Sequence, residues 1–445
     1  MTSGSLDDGD AARVGTAQPL DADIIVIGAG AAGLWAAAVA AREGASVLVL
    51  EKTERAGTKI LASGGTRCNL TTTLGPQAAA KLFGAAERFI LPALKALPPA
   101  TVRQHFHALG VPTVEEPELE KVFPASQRAR DVRDALRDDA LRAGVRIWYE
   151  ARVHGLAPAT APPDGTWTVT LAGKTLRCQK LLVCPGGQSY PLTGTTGDGY
   201  RWITSLGLSL TPPVPALVPL SSDEPWVHAL SGIAIANAHA RLHDPEDRIV
   251  ARRERPVLFT HHGLSGPGAM DLSVHVAHAA RVGSTRGWTV AIDLLPESDL
   301  DALRALLTEA ASRPGAPHLA RTLHDGLPGR ILAAVTAQAG LDDPNPPLNK
   351  VDRRTRNRLA DALKGLRVPV SGTLGWDKAE VTGGGLALTE VERTTLEVAR
   401  HPGLYVFGEL LDLTGPIGGL NFQAAFATAN LAARHAARTL APALG

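Results

Sequence analysis

The chain has 445 residues, 44% of them hydrophobic, and its 45 basic and 44 acidic side chains leave a formal charge of +1. That length suits two or three domains with sizeable cores, while the charge balance weighs against a nucleic-acid partner, which needs a basic face for phosphates. Cys68, Cys178 and Cys184 are odd in number and lack CxxC spacing, which excludes a disulfide framework or zinc ribbon and fits a reducing, cytoplasmic setting.

Residues 1–21 are polar and lack a basic n-region and an apolar h-region, so the expectation is a disordered tail rather than a leader. No apolar run is long enough to span a bilayer, and no membrane partner is expected. Ile24 to Ile27 then form an apolar strand, followed by Gly28-Ala29-Gly30-Ala31-Ala32-Gly33, an alanine-rich helix to Arg42, a C-cap at Gly44 and a second strand from Ser46 to Leu50 that ends in Glu51. This is the spacing of a dinucleotide-binding βαβ unit. Gly28 allows the tight turn, Gly30 lets a pyrophosphate approach the backbone, and Gly33 lets helix and sheet pack closely. A carboxylate at Glu51 accepts from ribose hydroxyls and repels a 2′-phosphate, which selects FAD or NAD over NADP.

Further along, a glycine-bearing loop (57–69) leads into helical segments at 77–97, kinked at Pro92, then at 100–109 and 125–143. Val145 to Tyr149 reads as a third strand, Trp167 to Leu171 and Thr175 to Arg177 as a hairpin, and Lys180 to Cys184 as a separate buried strand stopped by Pro185-Gly186-Gly187. The prolines of Thr211-Pro212-Pro213-Val214-Pro215 mark a boundary, because proline breaks helix and ladder alike. From there to about residue 370, short strands (257–260, 288–293) alternate with helices (300–311, 330–339, 353–366). The basic cluster Arg252-Arg253-Glu254-Arg255 is interrupted by an acid and reads as a solvated face. His261 and His262 are expected on a strand, facing opposite sides, with no ligand set to complete a metal site.

Gly403 to Gly408 returns as an apolar strand that delivers Glu409 to its C-terminal end, where it can accept from a ribityl hydroxyl. Gly415 to Asn421 opens a last helix, to Leu440, whose N-terminus can face a flavin pyrimidine edge. A second contact region of this kind favours non-covalent FAD over NAD. The fold expected is α/β: a Rossmann-like FAD-binding domain built from both termini (22–205 and 373–440), interrupted by an insert domain with β and helical parts (206–372) that covers the flavin and, together with the loop from Thr58 to Thr72, selects the substrate.

Gly57 to Asn69, Gly186 to Pro191, Thr196 to Gly199, Gly263 to Pro267, Val381 to Gly385 and Gly408 to Gln423 together resemble the flavoprotein family that includes aminoacetone oxidase-like enzymes and bile-acid-inducible enone reductases. The likeness covers nearly the whole chain after residue 22, with departures at Thr58, Thr66, Thr72 and Cys184-Pro185, where that family commonly has Arg, Gly, Asn and Ala-Thr. It implies an FAD-dependent oxidoreductase acting on a small molecule. NAD(P)H as a transient donor for reducing an activated double bond, oxidation of a small amine by oxygen, and a flavin-binding sensor without turnover all remain open, as do substrate and oligomeric state. The candidate cofactor-binding residues are Gly28, Gly30, Ala32, Gly33, Glu51, Lys52, Lys59, Arg67, Asn69, Gly186, Gly187, Gly408, Glu409, Gly418, Gly419 and Asn421. No catalytic side chain is singled out beside the flavin. Cys68 has no partner cysteine within its loop and reads as loop packing.

Overall fold

The apolar run Ala22–Ile27 forms strand β1 in a computed structural model that describes residues 20–159, 166–324 and 326–440; most of the expected N-terminal tail lies outside them. Helix α1 (Ala31–Arg42) follows, Gly44 turns the chain at φ +98°, and β2 (Val47–Leu50) returns parallel to β1, pairing Ile24 with Val47 through Ile27 with Leu50. β2 is buried along its length and β1 nearly so, which explains why neither shows an alternating pattern. Arg146–Trp148 adds to the far side of β2 in parallel.

On the other side of β1 the structure departs from the sequence reading. Lys174–Val183 is one ten-residue strand, not a hairpin arm followed by a separate strand. Its first half pairs antiparallel with Trp167–Leu171, and its second half runs parallel to β1 and to Leu404–Val406. Nothing between Arg177 and Lys180 breaks an extended chain, so the strand simply changes partners. Pairing with Leu404–Val406 brings the C-terminal region to the opposite edge of this strand from β1.

Helix Leu420–Arg438 packs along α1. Both helices are rich in alanine, so their backbones approach closely, and the larger rings fill the remaining space: Trp35 lies 5.0 Å from Phe426 and 4.5 Å from His105. Truncating a fully buried ring such as Phe426 would cost about 3–5 kcal/mol.

The proline-rich boundary is also corrected. Leu210–Ala216 is a strand, antiparallel to Val381–Leu386, with a register shift between Thr211 and Val214 that accommodates Pro212 and Pro213. A two-stranded ribbon with a bulge tolerates the donors that proline lacks. One large cluster of buried residues runs from Ala22 to Leu208 and resumes at Leu386; a second runs from Leu220 to Val370. The second is built on a five-stranded and a four-stranded antiparallel sheet with helices Leu300–Ser312, Gly329–Gln338 and Arg353–Leu363. Asp299 and Asp352 cap two of these helices, accepting from Ala302 N at 2.6 Å and Thr355 N at 3.0 Å.

His261 and His262 are not on a strand. They form the turn between Val257–Thr260 and Gly263–Ser265, with their rings 4.0 Å apart. A small sheet that the sequence did not suggest, Thr71–Thr72 with Lys121–Pro124 and Thr113–Glu116, lies beside the glycine loop.

Candidate functional site

A cavity of about 800 Å³ starts at the β1–α1 turn and is walled by both buried clusters' surroundings, an ordinary size for a large organic ligand. At the turn the three glycines have separate duties. Gly28 has φ +102°, and a Cβ there would sit 2.7 Å from the Cys184 carbonyl oxygen. A Cβ on Gly33 would lie 1.8 Å from the Gly28 carbonyl oxygen, so Gly33 is a helix-to-strand packing position and does not line the cavity. Gly30 lines it, with nothing within 4 Å of where its Cβ would be. No side chain caps α1, which leaves its N-terminal amides facing this open cradle. The arrangement fits a pyrophosphate.

Glu51 lines the cavity at the end of β2, held by backbone: Oε2 accepts from Ala29 N at 2.9 Å, and Oε1 from Thr53 N and Thr53 Oγ1, each at 2.8 Å. Each carboxylate oxygen has further lone pairs for a ribose. Lys52 donates to Asp198 Oδ2 at 2.6 Å and Thr196 Oγ1 at 2.7 Å. Burial works against the charge of Asp198, but Lys52, Thr196 and Arg201 outweigh it and hold the carboxyl below its ordinary range.

Midway along, Lys59 meets Glu409. The Lys59 Nζ donates to both Glu409 oxygens at 2.8 and 2.7 Å and to Ser189 Oγ at 2.6 Å, while Glu409 Oε1 also accepts from Ser189 Oγ at 2.9 Å and Thr382 N at 2.9 Å. Glu409 therefore stands at the end of Leu404–Val406 as expected, already in an ion pair. Gly408 (φ +70°) brings the backbone against Ala32, another cavity residue. Gly186 lines the wall, whereas Gly187 does not: a Cβ there would fall 2.2 Å from Thr382 Oγ1.

The last glycine turn is fastened on three sides. Gly419 has φ +78° and would place a Cβ 2.0 Å from the Thr71 carbonyl oxygen. Asn421 accepts from Gly415 N and donates to Gly415 O, both at 2.9 Å. Ile417 is gripped from the second cluster's side, its carbonyl accepting from Arg255 and its N–H donating to Asp271 Oδ1 at 2.9 Å. Gly418, Gly419 and Asn421 all line the cavity. Asn69 lines it too and steadies the neighbouring sheet, its Oδ1 accepting from Val122 N at 3.3 Å. Arg67 pairs with Glu116 at 2.7 Å and lies 4.0 Å over the Phe123 ring, so this candidate orders the loop. Cys68 is fully buried, and burial pushes its thiol up to about 12; Cys178 and Cys184 are also free and buried.

Lys121, Phe123 and Glu380, together with Leu258 and the segment Ser265–Pro267 and Met270, complete the lining. Only the Gly263–Pro267 run among them carried a sequence signal. Among the described residues, no group of three His, Cys, Asp or Glu side chains could hold a metal, and no helix is long and apolar enough to cross a membrane.

Residues 22–435 match the HI0933-like protein Rossmann domain family. The chain belongs to this FAD-binding Rossmann family. Among curated relatives, the ribosomal RNA dihydrouridine synthase of Escherichia coli is 31% identical over 410 residues, 92% of this chain and 96% of that one. The 3-dehydro-bile acid delta(4,6)-reductase of Clostridium scindens is 30% identical over 415 residues, 93% of this chain and 98% of that one. Among solved structures, the 3-ketosteroid delta1-dehydrogenase of Sterolibacterium denitrificans is similar in fold, with a TM-score of 0.51 and 16% identity over 94% of this chain and 99% of that one.

Proposed function

We propose that this HI0933-like chain is an FAD-dependent reductase of carbon–carbon double bonds conjugated to a carbonyl, drawing electrons from NADH or NADPH. The observation that carries the reading is the cavity, whose lining joins an open glycine cradle and the acid Glu51 to further ionisable groups, Lys121 and Glu380 among them. Two relatives' names support the reaction class. Dihydrouridine differs from uridine by saturation of a double bond conjugated to a ring carbonyl, and a 3-dehydro Δ4,6 steroid carries a diene conjugated to its 3-oxo group.

FAD, when bound, supplies hydride transfer at the substrate carbon. The chain does the rest. The α1 N-terminus and Gly30 hold the pyrophosphate, Glu51 the adenosine ribose, Glu409 with Lys59 the ribityl chain, and the Gly415–Gly419 turn the pyrimidine edge of the ring. In this division, residues 22–205 and 373–440 bind cofactor and 206–372 cap the substrate. The near-neutral charge favours a small molecule over ribosomal RNA as that substrate.

Acid treatment of the purified protein is expected to release FAD. Anaerobic mixing should bleach the flavin with NADH or NADPH, and a 4-en-3-one steroid should restore its colour. Recovery of no flavin, or bleaching by small amines but by neither nicotinamide, would overturn the assignment. Reoxidation by unmodified ribosomal RNA and not by the enone would move the substrate to RNA and leave the reaction class intact.

A further inference from the structure

Most ionisable side chains that line the cavity are already engaged: Lys52 by Asp198, Lys59 by Glu409, Arg67 by Glu116, and Glu51 by backbone amides. Four others, Lys121, Arg152, Lys378 and Glu380, have no side-chain hydrogen bond or ion pair among the described residues, and of these Lys121 and Glu380 are of opposite sign and interact electrostatically. Lys121 opens the strand Lys121–Pro124, and Glu380 immediately precedes the strand Val381–Leu386. Both line the cavity, and among the described residues neither side chain has a hydrogen-bond or ion-pair partner. The surrounding wall is mixed: Phe123, Leu258, Met270, Ile417 and Phe422 supply apolar surface, and Lys59 and Arg67 supply charge. Two groups of opposite charge type that line one cavity without a partner leave their polar ends to a ligand.

The electrostatics suit that role. Burial pushes the Glu380 carboxyl above its ordinary range; Asp271 adds to this, and Lys121 and Lys59 oppose it. Burial pulls the Lys121 ammonium down, with Arg255 and Arg67 acting in the same sense and Glu116 and Glu380 against. A carboxyl and an ammonium facing one cavity are the acid and the oxygen partner that conjugate reduction of a carbonyl compound needs.

We propose that Lys121 and Glu380 are the polar half of the substrate site, with the Lys121 ammonium on the substrate carbonyl oxygen and the Glu380 carboxyl delivering the proton to the carbon next to that carbonyl. The proposal rests on the reductase reading. The β carbon gains a C–H bond from the hydride supplied by the cofactor, and the π pair of the C=C bond moves toward oxygen to give an enolate that Lys121 stabilises. Collapse of the enolate takes the Glu380 proton onto the α carbon. The carboxylate left behind is reprotonated from solvent, and the two electrons come from the nicotinamide, which is oxidised.

The test uses FAD-loaded protein and two variants, Glu380→Gln and Lys121→Met, with Glu380→Asp and Lys121→Arg as conservative partners and circular dichroism to confirm folding. The enone-dependent reoxidation rate should fall about 100-fold in Glu380→Gln, while bleaching by the nicotinamide stays at the wild-type rate. Wild-type reoxidation should slow as pH rises through the raised Glu380 range, and the Gln variant should show no such limb. 4-Nitrophenolate, a stand-in for the enolate oxygen, should bind about tenfold or more weakly to Lys121→Met, as read from its own absorbance, and unchanged to Glu380→Gln. The Asp and Arg variants should recover part of each loss. A Gln variant that reoxidises at the wild-type rate, or a Met variant that holds the phenolate as tightly as wild type, would overturn this assignment alone. Wild-type flavin that neither enone nor RNA reoxidises would overturn the reductase reading, and this proposal with it.

Discussion

Gly30 and Gly33 lie three residues apart in one turn, yet the space around them assigns opposite consequences to the same methyl group. At Gly30 the backbone is extended (φ −78°, ψ −169°) and a Cβ meets nothing. Gly30→Ala should fold with wild-type stability and lose affinity for FAD, measured by equilibrium dialysis, because the methyl occupies the phosphate cradle. Gly33→Ala drives a Cβ into a carbonyl oxygen, and overpacking of this kind costs about 1–3 kcal/mol or more. That variant should lose melting temperature before any cofactor is added, and equal behaviour of the two would refute the division of duties. Thr66 is a third case. It is exposed and holds φ +69°, a left-handed conformation that a β-branched residue adopts at a cost, at a position where the resembled family commonly has glycine. Thr66→Gly should raise stability by about 0.5–1 kcal/mol in denaturant melts, the strain relief exceeding the added freedom of the unfolded chain.

Among the elements, the ribbon Leu210–Ala216 with Val381–Leu386 carries the chain between the two buried clusters, and its outer end is fastened by one acid. Glu390 accepts from Ser209 N at 3.0 Å and pairs with Arg400 at 2.9 Å, and the Ser209 contacts, aided by Arg400, pull its carboxyl from 4.5 down to about 2. A depressed carboxyl contributes its stability above the unfolded value and loses it as pH falls through the folded one, so this contribution is complete above about pH 4.5 and fades toward pH 2. Glu390→Gln should cost about 1 kcal/mol at neutral pH and lose less stability than wild type between pH 4.5 and 2, as followed by thermal melts in acid. The same ribbon shows where sequence reading ends. β1, α1 and β2 were legible because apolar continuity, glycine spacing and the acid all constrain one another. Leu210–Ala216 was not, since proline reads as a ladder breaker unless the partner strand and the register shift are known. Lys174–Val183 was cut in two because a change of partner leaves no mark on the chain itself. The short strands Thr113–Glu116 and Lys121–Pro124 meet the glycine loop through contacts about fifty residues away in sequence, such as Val122 with Asn69, so Lys121 carried no local signal, and Glu380 became visible only as a residue lining the same cavity.

At the scale of the whole molecule, the cavity wall is drawn from both sides: the glycine turns and Glu51 from one, and Leu258, Pro267 and Met270 with the Arg255 and Asp271 grip on Ile417 from the other. A ligand held there binds the folded arrangement and not the unfolded chain. At a free concentration 1,000 times its Kd it adds about 4.1 kcal/mol to folding stability. Scanning calorimetry should accordingly show one transition for the FAD-loaded protein and a lower, broader or split transition once the flavin is stripped, with readdition restoring the first. Identical melts with and without FAD would argue against a shared wall.

If occupancy and folding are one equilibrium, the amount of this protein in a cell becomes a readout of flavin supply. Changes of 1–2 kcal/mol are enough to alter steady-state abundance about several-fold through chaperones and proteases. A shortage of riboflavin would then remove the polypeptide as well as its colour, and restoring the vitamin would raise the protein level without any change in transcription.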